Sequence, residues 1–147
     1  MPQTFYLKKG FNIPLAGRAL LEEHEISQPN SFAVKPSDFK GLVQPKLLVS
    51  VGENVKAGDP LFFDKVSEEV LFVAPVSGEI SEIIRGERRK IIEIRILADK
   101  EVEYKVFKKH TKTDINNLTR AEAIAALTAG GIWPSFIQRP FGVLANP

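Results

Sequence analysis

Lys65 stands between two short runs of Leu, Phe and Val, Leu61 to Phe63 and Val70 to Val73, where the chain must reverse. An exposed lysine at a hairpin tip is what covalent attachment of a lipoyl or biotinyl group requires. Asp64-Lys65-Val66 has the acid–lysine–apolar order of a lipoylated tip, but the Met-Lys-Met of a biotinylated one is missing. The short step from Leu61 places Lys65 at the start of the hairpin rather than at its apex. On that ground it reads as an ordinary turn lysine. Attachment at Lys65 is the alternative.

The other reactive residue types are more easily assigned to solvent. His24 and His110 are the only histidines, and neither has the i,i+4 partner of a metal-binding helix. Glu22 and Glu23 adjoin His24, but adjacent helical residues point apart. Glu68-Glu69 and Glu101 with Glu103 could do acid–base work only if their surroundings separated their pKa values. In turns and on strand faces they read as solvated. Arg85-Gly86-Glu87-Arg88-Arg89-Lys90 is a basic turn that could hold a phosphate or an acidic lipid surface. A solvated hairpin end is the plainer reading. Gly130-Gly131 follows a helix instead of opening one, so it caps that helix and does not cradle a phosphate. Trp133, Phe136, Arg139 and Phe141 come next. They form either an apolar interface or a segment packed on its own domain.

The elements that position these residues are mostly β. Glycine-marked turns at Val51 to Val55 and Gly58 to Pro60 precede the hairpin, and Ala74-Pro75-Val76-Ser77-Gly78 follows it. Glu79 to Ile84 and Lys90 to Leu97 are strands joined by the basic turn. Ile92, Ile94 and Ile96 alternate against Glu93 and Arg95, the clearest period of two in the chain. Glu101 to Phe107 alternates as well. Thr4 to Lys8 reads as a strand, Phe11 to Gly17 as extended, and Arg18 to Ile26 as irregular. Asp114 to Leu118 reads as turn-like. Thr119-Arg120-Ala121-Glu122 is a capping box ahead of a helix over Ala121 to Ala129. Val51 to Val55 and Val76 to Ile80 form a quasi-repeat, and two such units related by a two-fold would build a flattened barrel.

The chain has 147 residues, no cysteine and a net charge of +2. It is long enough to bury roughly two-thirds of its unfolded surface. Disulfides, thiolate metal sites and cysteine nucleophiles are excluded from this segment. The charge is too small to argue for nucleic acid. No apolar run approaches the roughly 20 residues of a bilayer span, and Met1 to Lys9 has no secretory core. A soluble cytoplasmic polypeptide is expected. The apolar C-terminal stretch ends at Asn146-Pro147 without a closing element, as a truncated piece would.

Several stretches resemble one family in chain order. They are Lys8 to Gly17 (KKGFNIPLAG), Asp38 to Pro45, Val51 to Leu61, Phe72 to Ile80, Arg85 to Arg89, and Gly131-Ile132-Trp133 with Arg139-Pro140-Phe141. The family they resemble is NqrA, from the sodium-translocating NADH:quinone oxidoreductases, in its N-terminal part. The first and last stretches single it out, whereas the Val-Gly and Ala-Pro-x-Ser-Gly elements are shared by biotinyl/lipoyl-like barrels. The resemblance implies a mainly β, α+β fold, a barrel-sandwich hybrid without a prosthetic group. It implies an N-terminal extended segment over 1–45, the barrel over 46–109, and a helical segment over 110–147 leading into a further domain. It also implies a non-catalytic structural and docking role in a peripheral subunit on the cytoplasmic face of a bacterial inner membrane. The parent complex passes electrons from NADH to quinone and exports Na+. Its FAD, FMN, riboflavin and 2Fe–2S centres are expected on other subunits, with integral membrane subunits as partners. Flavin-bearing relatives carry a glycine-rich loop where this chain has Gly131-Ile132-Trp133-Pro134, which argues against flavin here. No family catalytic residue maps onto this segment, and the resemblance to a subunit linked to quinone binding implies, as an expectation, quinone proximity for Trp133, Phe136, Arg139 and Phe141.

Overall fold

The computed structural model describes residues 6, 9–10, 12–18, 20–23, 25, 27 and 29–147. In chain order its strands are β1 (Ser31–Val34), β2 (Pro45–Leu47), β3 (Asn54–Val55), β4 (Pro60–Asp64), β5 (Ser67–Val73), β6 (Gly78–Arg85) and β7 (Ile91–Ala98). Helices α1 (Lys112–Asn117) and α2 (Arg120–Ala129) and a small hairpin, β8 (Ile137–Gln138) with β9 (Val143–Leu144), complete the chain. One antiparallel sheet has the order β1-β7-β6-β3 and another β2-β4-β5.

The two sheets close over a single apolar core. Leu61, Phe62, Phe72, Ile80, Ile94 and Ile96 are its most deeply buried apolar side chains. Burying a side chain of this size contributes about 1.5–3 kcal/mol. The Phe62 and Phe72 rings stack with centroids 4.6 Å apart, and Phe39 meets Phe72 edge-on at 4.6 Å. Phe39 thus extends the core from the turn preceding β2.

The quasi-repeat units are direct partners. Asn54 pairs with Glu79 and Val55 with Gly78 in an antiparallel ladder. The Gly52 N–H donates to the Ile80 carbonyl, and the Ile80 N–H to the Glu53 carbonyl, both at 2.8 Å. This is the pairing expected of two units related by a two-fold. Gly78 (φ +151°) lies so close to the Leu97 carbonyl that a Cβ there would collide with backbone.

Three sequence expectations are corrected. The alternation of Ile92, Ile94 and Ile96 breaks at a bulge. Ile94 pairs with Ile83 and Glu93 with Ile84, but Arg85 pairs with Ile91. Ile92 is therefore exposed, while Ile91 and Glu93 are buried. Glu93 is matched by Arg95 at 2.6 Å and Lys35 at 3.7 Å. Glu101 to Phe107 is not a ladder strand. It is laid across the barrel by one bridge, in which Ala57 donates to Glu103 and Lys105 donates to Ala57. Tyr104 and Val106 consequently stay exposed. Asp114 to Leu118, read as turn-like, falls mostly within a helix over Lys112–Asn117, because Thr111 and Asp114 form a second capping box.

The capping box of Thr119 and Glu122 and the helix behind it are as the sequence reads. β1 lies upstream of residue 45 yet is a member of the larger sheet, paired along its length with β7. The described residues between 12 and 23 carry no helix or strand, and Ile13, Leu15, Leu20 and Leu21 are exposed. The strand expected over Thr4 to Lys8 falls largely outside the described residues.

Candidate functional site

The β4–β5 hairpin turns through only two residues, Lys65 and Val66, because β5 already begins at Ser67. Lys65 is thus at the apex, not at the start of the hairpin as its short step from Leu61 suggests. β4 ends at Asp64, so nothing separates Leu61's strand from the turn. The Lys65 side chain is exposed.

Asp64 holds this apex down. Its carboxylate accepts the N–H of Val43 at 3.0 Å, of Gln44 at 3.0 Å and of Val66 at 3.2 Å. The Lys65 N–H donates to the Gln44 carbonyl at 3.0 Å. Burial pushes the Asp64 carboxyl up, but the three N–H donors outweigh it and hold it below the usual carboxylate range. An aspartate just before a reversal is a known turn-former, and that is the signal by which sequence reasoning could find its role.

The aromatic segment folds back toward the same hairpin. Trp133 opens a short 3-10 turn behind Gly131, whose left-handed backbone (φ +68°) is pressed against Val73 of β5. The Trp133 indole N–H donates to the Ala145 carbonyl at 2.9 Å, and its ring tilts against Phe136 at 5.2 Å. Trp133 is half-buried against the barrel core. The Lys40 ammonium donates to the Phe141 carbonyl at 2.7 Å, and the Leu144 N–H donates to the Lys40 carbonyl at 3.0 Å. The last residues are thereby anchored through β8–β9, a small hairpin not visible in the sequence. Between this anchor and the hairpin lies a cleft of about 280 Å³, flanked by Val43, Asp64 and Ser67 on one side and Leu144 to Asn146 on the other.

Trp133 and Phe136 are in contact. Arg139 lies in the turn between β8 and β9, and Arg139 and Phe141 are exposed, Phe141 by 71%. Ile132, Phe136 and Ile137 add partly exposed apolar surface nearby in sequence. His110 is partly buried just ahead of the Thr111–Asp114 capping box. His24 lies outside the described residues. Glu68, Glu69 and Glu101 are exposed, and Glu103 pairs with Lys56 at 3.0 Å. Among the described residues no three His, Asp or Glu side chains converge as metal ligands. No helix among them is long and apolar enough to cross a membrane.

The barrel coincides with a known family. The family model described as the NqrA N-terminal barrel-sandwich hybrid domain matches residues 5–99. The chain belongs to this family. Among its relatives, the NqrA protein of the Na(+)-translocating NADH-quinone reductase from Marinomonas sp. (strain MWYL1) is 34% identical over 139 residues. That match covers 93% of this chain and 30% of the relative. The NqrA proteins of Tolumonas auensis and Yersinia pestis are each 33% identical, over 92% and 96% of this chain. The chain spans about 30% of the length of these relatives. The family match takes in the hairpin and the core. The docked aromatic segment lies beyond residue 99, outside the family match, while the pairwise similarities extend over more than nine-tenths of the chain.

Proposed function

We propose that this segment is a non-catalytic structural and docking domain of a peripheral subunit of a membrane respiratory complex. In this reading the complex passes electrons from NADH to quinone and exports Na+ at the cytoplasmic face of a bacterial inner membrane. FAD, FMN, riboflavin and 2Fe–2S centres sit on other subunits, and the integral membrane subunits are partners. The supporting observation is apolar surface held in a fixed place. Phe136, Ile137 and Phe141 are exposed on a hairpin tied down through Trp133 and Lys40. Exposed apolar groups on an anchored element have the chemistry of an interface. The names of the relatives, each one component of a reductase, supply the assembly.

The test is a full-length protein carrying Phe136→Ser and Phe141→Ser, co-expressed with the other subunits. The expected result is a folded protein whose recovery with the membrane subunits falls at least severalfold. Recovery equal to wild type overturns the reading.

One observation favours the alternative, a lipoyl/biotinyl-type carrier domain modified at Lys65. Lys65 is exposed at the apex of a tight two-residue turn. Intact mass of the full-length protein from its native host decides between the two. An added lipoyl or biotinyl mass located to Lys65 rejects the docking reading, and an unmodified mass rejects the carrier.

A further inference from the structure

We propose that the tip of the β6–β7 hairpin is a contact site for an anionic phospholipid surface. The proposal rests on the reading of this chain as part of a peripheral subunit. Arg85, Arg88, Arg89 and Lys90 fall within one turn, opposed only by Glu87. All four are exposed, and among the described residues none of them makes an ion pair. Elsewhere on the barrel several cations are neutralised, while Lys46, Lys65 and Lys100 stand singly. Lys35 pairs with Glu93, Lys56 with Glu103, Lys105 with Asp59, and Arg95 with Glu82 and Glu93. This tip differs in gathering four exposed cations without an acid partner into a single turn.

The backbone adds an independent observation. Arg88 (φ 54°) and Arg89 (φ 61°) both lie in the left-handed region. That conformation is disfavoured for residues with a side chain and is commonly filled by Gly or Asn. Two arginines here set charge above local backbone preference. The turn is closed all the same. Gly86 N–H donates to the Lys90 carbonyl at 2.8 Å, and the Arg85 guanidinium donates to the Arg89 carbonyl at 3.3 Å.

Geometry presents the cluster outward. β1 joins β7 only as far as Val34 with Ile94, and β3 joins β6 only at Gly78 and Glu79. The distal part of β6–β7 runs past its neighbours in that sheet. Ile92, extruded by the bulge beside Gly86, is half-exposed next to the cations. An aliphatic side chain among arginines suits the headgroup boundary of a bilayer, where apolar insertion and attraction to anionic lipid act together. The nearby Lys40, its ammonium held on the Phe141 carbonyl, borders a cleft of about 310 Å³ with Lys90.

The experiment uses the full-length protein with vesicles of phosphatidylcholine alone or mixed with phosphatidylglycerol, read by co-sedimentation. The wild type is expected to bind the mixed vesicles and not the neutral ones. Binding should fall as salt rises from about 0.1 to about 1 M, because the screening length shrinks from about 10 to about 3 Å. Arg88→Asn with Arg89→Asn removes two charges while suiting the left-handed backbone, so the fold is kept. Its affinity for mixed vesicles should drop about thirtyfold, which is about 1 kcal/mol for each cation. Arg85→Gln with Lys90→Gln should act in the same direction from ordinary backbone positions. Equal binding to both vesicle types, or unchanged binding by both double variants, overturns the proposal. So does displacement of bound protein by millimolar inorganic phosphate, which would mark a discrete phosphate pocket. Loss of partner subunits with vesicle binding intact would assign the cations to an acidic protein and overturn it too. Failure of the Phe136 and Phe141 test, by contrast, leaves vesicle binding as the independent reading of this tip.

Discussion

The indole N–H of Trp133 donates to the carbonyl of Ala145 at 2.9 Å, tying the turn after α2 to the last residues of the chain. A half-buried tryptophan needs an acceptor for that N–H, and here the acceptor is backbone on the far side of β8–β9. Trp133→Phe keeps an aromatic ring against the barrel but removes the donor. It should cost about 1 kcal/mol, the usual net worth of such a bond. In urea unfolding followed by circular dichroism the midpoint should fall with the slope unchanged. Trp133→Ala also removes the ring and should cost more. A Phe variant as stable as the wild type would show that ring packing alone holds the segment.

Asp64 makes a pH-dependent prediction. Its folded pKa is depressed, burial opposing and three N–H donors prevailing. The stability it contributes is therefore complete above its unfolded value of about 3.9 and is lost as pH falls through the folded value. Asp64→Asn presents an amide NH2 to one of those donors and should cost about 1–3 kcal/mol at neutral pH. The gap between wild type and variant should stay constant from neutral pH down to about pH 5 and then narrow below about pH 4. Asp114 and Glu122 are also lowered, first by hydrogen bonds from Thr111 and Thr119. They act in the same acid window, so the comparison with Asp64→Asn is what isolates Asp64. A gap that is flat through the acid limb would show that the apex is not held by this carboxylate.

Legibility follows the range of the interactions. Thr119 and Glu122 satisfy each other's backbone within one helical turn, and the sequence pattern suffices to read them. The same logic applies to Thr111 and Asp114, three residues apart, but the helix behind them is short and carries no apolar period. The exposure of Ile92 is hidden because a bulge inserts one residue without any compositional mark, and every side chain beyond it changes face. The anchoring of Phe141 by Lys40 depends on contacts across most of the chain, which no local pattern encodes. The turn sequence Asp64-Lys65-Val66 is legible as a tip. Its length is not, because Ser67, Glu68 and Glu69 look like loop residues and yet belong to β5.

Gly131 fixes where the aromatic segment meets the barrel. Its left-handed backbone and its contact with the Val73 side chain both exclude a Cβ without displacement. Gly131→Ala should therefore lift the Trp133 turn from β5, at a cost of about 1–3 kcal/mol. A red shift of Trp133 emission in the folded variant, with the barrel's circular dichroism retained, is the expected outcome. Unchanged emission would mean that β5 yields and the dock survives.

Gly78 and Gly52 separate steric need from backbone need. Both have positive φ, +151° and +85°. Around Gly52 there is open space, whereas a Cβ on Gly78 would enter the carbonyl of Leu97 in the adjacent β7. Gly52→Ala should carry only the conformational cost, about 1–2 kcal/mol. Gly78→Ala must also separate β6 from β7, the pairing that carries Ile80 and Ile96 into the core. A backbone atom cannot rotate away as a side chain can. Its cost should exceed that of Gly52→Ala by about 1–3 kcal/mol, the range of an overpacked core, and can abolish folding. Comparing the two variants by thermal unfolding decides the point. Equal melting temperatures would show that the strands separate easily and that Gly78 is retained for its φ alone.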